Sequence, residues 1–345
     1  MLKLGLVGLG GMGRGHLTTI QKLISEGADI KLVALCDINP KAFGKVEATL
    51  NLEGMEKSDY DFSTYHLYDN IDEMLEKEEL DLVHVVVPTY EHSTLTLKVL
   101  NKGINCLCEK PMALSINQCQ LMLDAAKKNN VQLMIGQCLR FWEEWSYLKG
   151  IFTRGDLGAP IGGFFYRNGG GSPTGFGGWY RCREKGGGGL FDQHIHDIDM
   201  VNYLFGVPKA VSTVGKVFYT GSGYDTCSTN YIYDENYAVH TENIWASFEP
   251  GFRHGFRADF EEGTVVFDAN GLRTYQKGKG MIALPEITNN GGHYQEIKYF
   301  IDVIANGKEN TINPPESSME TIRIALAEMK SADLGGQIVN VGDIK

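Results

Sequence analysis

The sequence predicts an α/β protein in two parts. A doubly wound parallel sheet comes first, and an α+β region built on a mostly antiparallel sheet follows. Three observations carry this. Over roughly the first 135 residues, short apolar runs alternate with helical patterns, the signature of parallel β-α-β winding. A glycine run, Gly8-Leu9-Gly10-Gly11-Met12-Gly13, sits between the first apolar run and the first helical pattern. After Arg140 the alternation gives way to glycine- and aromatic-rich sequence, then to β-branched alternating segments.

The elements follow in order. Residues 3–7 read as a buried strand ended by the glycines. Leu17, Ile20, Leu23 and Ile24 mark a helix, and the apolar run 30–36 is a second strand stopping at Asp37. The polar stretch 53–63 reads as a surface insertion. Residues 82–87 form a strand ending at Pro88, and a helix over about 91–101 stops at Gly103. Residues 104–108 form the next strand, running into Glu109-Lys110-Pro111. Ser115 with Gln118 makes a capping box for a helix to about residue 128, and 131–135 is another short strand. Beyond the glycine-rich stretch 150–189, one helix is predicted over about 190–205, closed by Gly206 and Pro208. Strands are predicted at 211–219, 237–248, 252–260, 264–268 and 272–276, and helices near 294–305 and 317–330. The division is 1–135 and 136–345, with the last helices free to pack on either part.

A chain of 345 residues, 43% apolar and 22% charged, reads as an ordinary globular protein of two domains. The net charge of −11 disfavours nucleic acid and anionic membrane as partners. No apolar stretch approaches the roughly 20 residues that span a bilayer, and the chain opens directly on a strand, so a cytoplasmic location is expected. Seven cysteines with no framework spacing, Cys106 and Cys108 alternating along one strand, read as reduced buried thiols.

Strand, G-x-G-x-x-G, helix, strand and acid together form a dinucleotide fingerprint in its required context. Gly8 makes the tight turn, Gly10 admits a pyrophosphate, and Gly13 allows close helix–strand packing. Gly11 and Met12 open the helix whose N–H groups face the phosphates. Asp37 is placed to accept a ribose diol, which favours NAD over NADP. Ile38, Asn39 and Pro40 supply no arginine for a 2′-phosphate, and Lys41 is the nearest cation that could admit NADP. Ligands bind outside the carboxyl ends of such strands, where Gly8, Asp37, Pro88, Lys110 and Gly136 fall. Lys110 there is either a stabiliser of a developing alkoxide or a solvated loop lysine. Because only about 5–6% of X-Pro bonds are cis, Lys110–Pro111 is expected to be trans. His92, opening a helix, reads on spacing alone as a capping or packing residue.

The second constellation runs from Gly186-Gly187-Gly188-Gly189 through Asp192, His194, His196, Asp197 and Asp199. One helix would put Asp192 and His196 on the same face, beside an apolar face of Phe191, Ile195, Ile198 and Leu204. That pair is an acid–base unit or a surface ion pair, and spacing does not separate the two. A metal is not expected, because His194 and His196 point to different sides and Ile198 stands where H-x-H-x-D-H needs its acid. His194 lies off the Asp192–His196 face, so its loss is expected to be mild. The stretch 168–181, glycine-rich and carrying Trp179-Tyr180, reads as a lid or as a long connection. Trp142, Trp145 and the sheet aromatics read as packing.

With these residues in place, the chain resembles the Gfo/Idh/MocA (glucose–fructose oxidoreductase, inositol dehydrogenase, rhizopine catabolism) family over essentially its whole length. The match rests on the fingerprint, Val87-Pro88 with His92 four residues on, and Glu109-Lys110-Pro111. It continues through Gly-Gly before Asp192-x-x-x-His196 and into Glu296-Ile297-Lys298-Tyr299-Phe300-Ile301. The resemblance implies a Rossmann domain, then a domain with a large open sheet used to form homodimers or homotetramers. It implies NAD as cofactor, contacted also by Pro88, Thr89, His92, Glu109 and Lys110. It implies a small polyhydroxylated substrate (sugar, inositol or related polyol) at Asp192 and His196. Arg140, Trp179 and Tyr180 are further candidate substrate contacts, but 170–181 matches no substrate loop of the family, which leaves the substrate open. His196 would be the acid/base, Asp192 its orienter or a substrate contact, and Lys110 the group polarising the same oxygen. Two other readings stand beside hydride transfer: redox-assisted glycoside hydrolysis, and a non-catalytic dinucleotide-responsive regulator. The intact Lys110, Asp192 and His196 argue against the last.

Overall fold

The computed structural model describes residues 1–44, 60–170, 175–248, 251–284 and 291–345. Most of the 53–63 insertion, and 171–174 of the glycine-rich stretch, lie outside these residues. The chain divides into two compact units: 1–113 with 117–136 and 293–316, and 114–116 with 137–292 and 317–345.

The first unit begins with β1 (Leu2–Val7), whose Leu4 and Leu6 are fully buried, as a central parallel strand requires. Helix α1 (Gly11–Ser25) buries Gly13, His16, Leu17, Ile20 and Leu23 along one stripe. Then come β2 (Ile30–Cys36), β3 (His66–Tyr68), α2 (Ile71–Lys77), β4 (Leu82–Val85), α3 (His92–Asn101), β5 (Asn105–Glu109), α4 (Ile116–Asn129) and β6 (Leu133–Gly136). The sheet order is β3-β2-β1-β4-β5-β6, with every pairing parallel. The strand order reverses between β1 and β4, and that switch point is where a doubly wound sheet binds ligand. Val7 pairs with both Cys36 and Val85, and Val85 with Cys108, so the carboxyl ends of four strands finish level.

In the second unit, α5 (Glu143–Arg154) buries Trp145, whose ring stacks on Phe165 at 6.0 Å and meets Phe256 at 4.8 Å. Burying side chains of this size contributes about 1.5–3 kcal/mol each. Phe165 belongs to β7 (Pro160–Asn168). Short helices α6 (Arg183–Gly186) and α7 (Gly189–Asp192) and the longer α8 (Ile195–Phe205) follow. Next come β8 (Ala210–Lys216), β9 (Thr226–Ile232), β10 (Ala238–Ile244), β11 (Arg253–Phe260), β12 (Gly263–Asp268), β13 (Gly271–Gln276) and β14 (Gly280–Ile282). Helix α9 (Gly292–Ala305) belongs with the first unit, where Lys22 lies 4.6 Å above the Tyr294 ring and Asn313, just beyond α9, donates to the Ile135 carbonyl at 2.5 Å. Helix α10 (Pro315–Asp333) and β15 (Val339–Asn340) complete the second unit.

The nine-stranded sheet runs β14-β13-β12-β11-β7-β10-β9-β8-β15. It is antiparallel except where β7 lies parallel to β10. The α/β expectation holds in both units. Strands β7 and β9 were not predicted: Gly162, Gly163 and three consecutive aromatics obscure a period of two in the first, and polar Thr, Ser and Asn dominate the second. The single helix expected over 190–205 is broken. The amides of Gln193 and His194 both bond to the Gly189 carbonyl at 2.9 Å, and α8 restarts from the His194 carbonyl. Two side chains explain the break: Gln193 donates to the Arg167 carbonyl at 2.9 Å, and His194 is drawn into the interior.

Candidate active site

The glycine turn has the shape its spacing demands. Gly8 holds φ +93°, where a Cβ would lie 2.0 Å from the Val86 carbonyl oxygen, and a Cβ on Gly13 would lie 1.9 Å from that of Gly8. At Gly10 an added Cβ would meet nothing within 4 Å, so that side is open. Gly10 caps α1 without a side-chain hydrogen bond, which leaves the first N–H groups, from Gly11 and Met12 on, to a ligand. The Leu9 amide donates to Asp37 Oδ2 at 2.7 Å and the Asn39 amide to Oδ1 at 2.8 Å, which holds the half-buried carboxylate beside the turn. An open anion cradle with a fixed carboxylate next to it fits the pyrophosphate and ribose of a dinucleotide.

Lys110 follows β5 at the same carboxyl-end rim, and its bond to Pro111 is cis, against expectation. Pro88 is half-buried just past β4. Three residues expected to touch the cofactor are buried, with Thr89 4%, His92 1% and Glu109 4% exposed. His92 Nδ1 lies 2.7 Å from the Pro111 carbonyl and Nε2 2.9 Å from the Val87 carbonyl, and in the neutral ring one of the two nitrogens donates. Burial lowers its pKa against the pull of those two carbonyls. Glu109 accepts from His16 Nε2 at 2.9 Å and from the Lys110 amide at 3.1 Å. Burial alone would raise the Glu109 pKa. The bond from His16, with His293 and Lys110 nearby, holds it well below the usual carboxylate value. The ionised carboxylate only accepts, so His16 Nε2 carries a proton. His16 Nδ1 lies 3.1 Å from His84 Nδ1, and burial keeps His84 neutral, its pKa well below 6.5. Among the described residues, the group whose ligand atoms come within 4.8 Å of one another is Glu109, His293 and Glu296, in the first unit and outside the Asp192–Asp199 run.

In the second unit, every residue from Gly186 to Asn202 is buried except Asp192 and His196, which stay half-exposed. They lie on either side of the helix break rather than on one helix, yet both keep access to solvent. Their neighbours are occupied. Asp197 pairs with Arg167 at 3.2 Å, and Asp199 takes Arg140 Nε and Nη2 at 2.8 and 2.7 Å. Arg140, expected to bind substrate, is 3% exposed, pairs with Asp199 and Ser317, and lies over Tyr203 at 4.5 Å. His194 is fully buried. Its Nε2 lies 3.1 Å from Glu328 Oε2, a carboxylate that also accepts from Thr229 (3.0 Å) and Tyr231 (2.7 Å). Burial opposes the charged imidazole, but Cys227 and Glu328 raise the His194 pKa well above 6.5. Burial keeps the Cys227 thiol itself high, which makes Glu328 the counter-charge. His194 is thus part of a buried ion pair, and its loss is expected to cost stability. Trp179 and Tyr180 stack on each other at 3.8 Å, half-exposed, on a 3₁₀ segment (Phe176–Arg181) that packs closely against Gly186.

Sequence reasoning missed His16, His84, Arg167 and Glu328. His16 was findable, being a polar residue on the Gly13, Leu17, Ile20 stripe that α1 buries. The partners of Arg167 and Glu328 lie 30 and 134 positions away and left no local signal.

A parallel sheet of order 3-2-1-4-5-6 with an open glycine cradle, followed by a unit with a large mixed sheet, defines a two-unit dinucleotide-binding α/β protein. The profile of the oxidoreductase family with an NAD-binding Rossmann fold matches residues 2–137, and that of the GFO/IDH/MocA C-terminal domain matches 145–266. The chain belongs to the Gfo/Idh/MocA oxidoreductase family. It is 32% identical to 2,7-anhydro-N-acetylneuraminate hydratase of Mediterraneibacter gnavus over 49% of this chain and 47% of that one. It is 25% identical to scyllo-inositol 2-dehydrogenase (NAD(+)) of Bacillus subtilis over 96% of this chain and 94% of that one. The chain spans about half the length of the curated relatives that it matches at 32% identity. A levoglucosan dehydrogenase solved with NADH and levoglucosan superposes with a TM-score of 0.83 at 18% identity, covering 99% of each chain, which is a likeness of fold. Among the described residues, no helix is long and apolar enough to cross a membrane.

Proposed function

We propose that this protein is an NAD-dependent dehydrogenase acting on a carbinol of a sugar, inositol or related polyol. The observation that carries the reading is the pair Asp192 and His196, alone in keeping solvent access along an otherwise buried run. Bound NAD+ supplies the hydride acceptor. His196 takes the hydroxyl proton, as an imidazole with an unperturbed pKa near 6.5 can. Lys110 stabilises the negative charge growing on that oxygen. Asp192 orients the imidazole or a substrate hydroxyl, and the Trp179–Tyr180 stack offers a face for the apolar side of a sugar ring.

The test is NADH appearance at 340 nm over a panel of myo-inositol, scyllo-inositol, D-glucose, D-glucose 6-phosphate, D-gluconate and levoglucosan. Net reduction with at least one is the expected result, while NAD binding without it favours another reading. The second reading is a reaction with no net oxidation, such as redox-assisted glycoside hydrolysis. It is favoured by the similarity to a protein named as a hydratase, since adding water leaves the oxidation state unchanged overall. Cleavage of a nitrophenyl glycoside without net NADH would select it.

Asp37 favours NAD over NADP: a 2′-phosphate would meet its carboxylate, and Arg14, the cation reaching this segment from α1, already donates to the Ala42 and Gly44 carbonyls at 2.6 and 3.1 Å. Fluorescence titration should show NADH binding more tightly than NADPH by about tenfold, the equivalent of about 1.4 kcal/mol; the reverse order would remove Asp37 from this role. A homodimer or homotetramer through the large sheet is supported by half-exposed rings on β7 and β10, where Phe164 stacks on Tyr166 at 5.5 Å and on His240 at 4.6 Å. Light scattering should give a multiple of 38.2 kDa, and a concentration-independent single-chain mass would refute it. The seven cysteines, free thiols in the structure, and the use of NAD support a cytoplasmic location.

A further inference from the structure

We propose that Glu109 and His16 are positioning residues which seat Lys110 and tie it to the helix that cradles the dinucleotide. This rests on the reading of Lys110 given above. The Lys110 backbone is held from both sides. Its amide donates to Glu109 Oε2 at 3.1 Å, and the carbonyl of the next residue, Pro111, faces His92 Nδ1 at 2.7 Å. With the main chain pinned at both points, the freedom left to Lys110 is that of its side chain. The Glu109 carboxylate is pinned in turn by His16 Nε2 at 2.9 Å, and His16 by His84 Nδ1 at 3.1 Å on β4. His16 stands one turn beyond Gly13 in α1, whose first N–H groups form the open end of the cradle. Helix α1 and the end of β5 thus share one carboxylate. All three linking residues are buried, with Glu109 4%, His16 1% and His84 0% exposed, so water competes little for these bonds. A dinucleotide seated on α1 fixes the helix, and the helix fixes the atom that holds the Lys110 backbone.

A double-mutant cycle tests this, with initial rates of NAD+ reduction measured on the panel polyol of highest wild-type rate. Folding of each variant is verified by circular dichroism, and NAD+ binding by tryptophan fluorescence. His16→Ala should lower kcat by about tenfold or more, as a small misplacement of a catalytic group does. In a Lys110→Met background the same substitution should change kcat by less than about twofold, because two residues acting through one group are not additive. A restored donor in His16→Gln should recover most of the loss. If His16→Ala does not fold, Glu109→Gln goes through the same cycle. Equal losses in the two backgrounds would overturn the proposal while leaving the role of Lys110 intact. An unimpaired Lys110→Met would remove Lys110 from the reaction and overturn both.

Discussion

Replacing His196 by Ala should lower kcat by about 10²–10⁴-fold, the usual worth of general acid–base catalysis. Oxidation of a secondary alcohol requires the hydroxyl proton to leave as the carbon-bound hydrogen departs, because a free alkoxide is too costly at neutral pH. Of the two histidines on this run, His194 is fully buried against Glu328 and only His196 is half-exposed. The dinucleotide cradle belongs to the first unit and His196 to the second, so the Kd for NAD+ should stay within about twofold of wild type. Steady-state kinetics together with fluorescence titration separate the two effects. Near-normal turnover in His196→Ala would remove the proposed base.

His194→Ala should be the most destabilising single change on this run, by about 3–5 kcal/mol, the usual cost of removing one partner from a buried ion pair. It leaves Glu328 fully buried without its counter-charge, still facing Thr229 and Tyr231. A guanidinium titration monitored by tryptophan fluorescence would measure the loss, and a change below about 1 kcal/mol would show that the pair contributes little. The sign with pH follows from the raised His194 pKa. A base whose folded pKa exceeds its unfolded value near 6.5 contributes its full stabilisation below that pH, and loses it as the pH rises through the folded value. The gap between wild type and His194→Ala should therefore be widest in mild acid and narrow under alkaline conditions. A fall in activity is also expected, because His194 lies in the break between Asp192 and His196.

Most of the first unit was legible because its signals are local, although β3 and α2 were not predicted and the place of α9 was left open. Each apolar run, turn and cap lies within about 30 residues, and the roles of Gly8, Gly10 and Gly13 follow from what each Cβ would strike or leave open. The second unit was half legible. The alternation in β11, β12 and β13 survived in the sequence, but in β7, which sits between β10 and β11, two glycines and three consecutive aromatics hide the period. Around the site, Lys110, Asp192 and His196 were singled out by position and spacing. The pairing of Arg140 was not legible, because its partner Asp199 lies 59 positions on. The helix break failed for a similar reason. The apolar spacing of 190–205 reads as one helix, and the partners that accompany its break, Glu328 for His194 and the Arg167 carbonyl for Gln193, are distant in sequence.

Helix α9 closes the first unit, although all of 137–292 is threaded between it and β6. During synthesis the strands and cofactor turn emerge early, at about 5–20 residues per second, while the segment that buttresses α1 through Tyr294 and ties Ile135 through Asn313 arrives only after most of the large sheet. A nascent or truncated chain ending at Gly136 carries every phosphate-binding residue but lacks the tertiary brace behind them. The dinucleotide unit is thus discontinuous in sequence, and its last segment, 293–316, is made after most of the second unit.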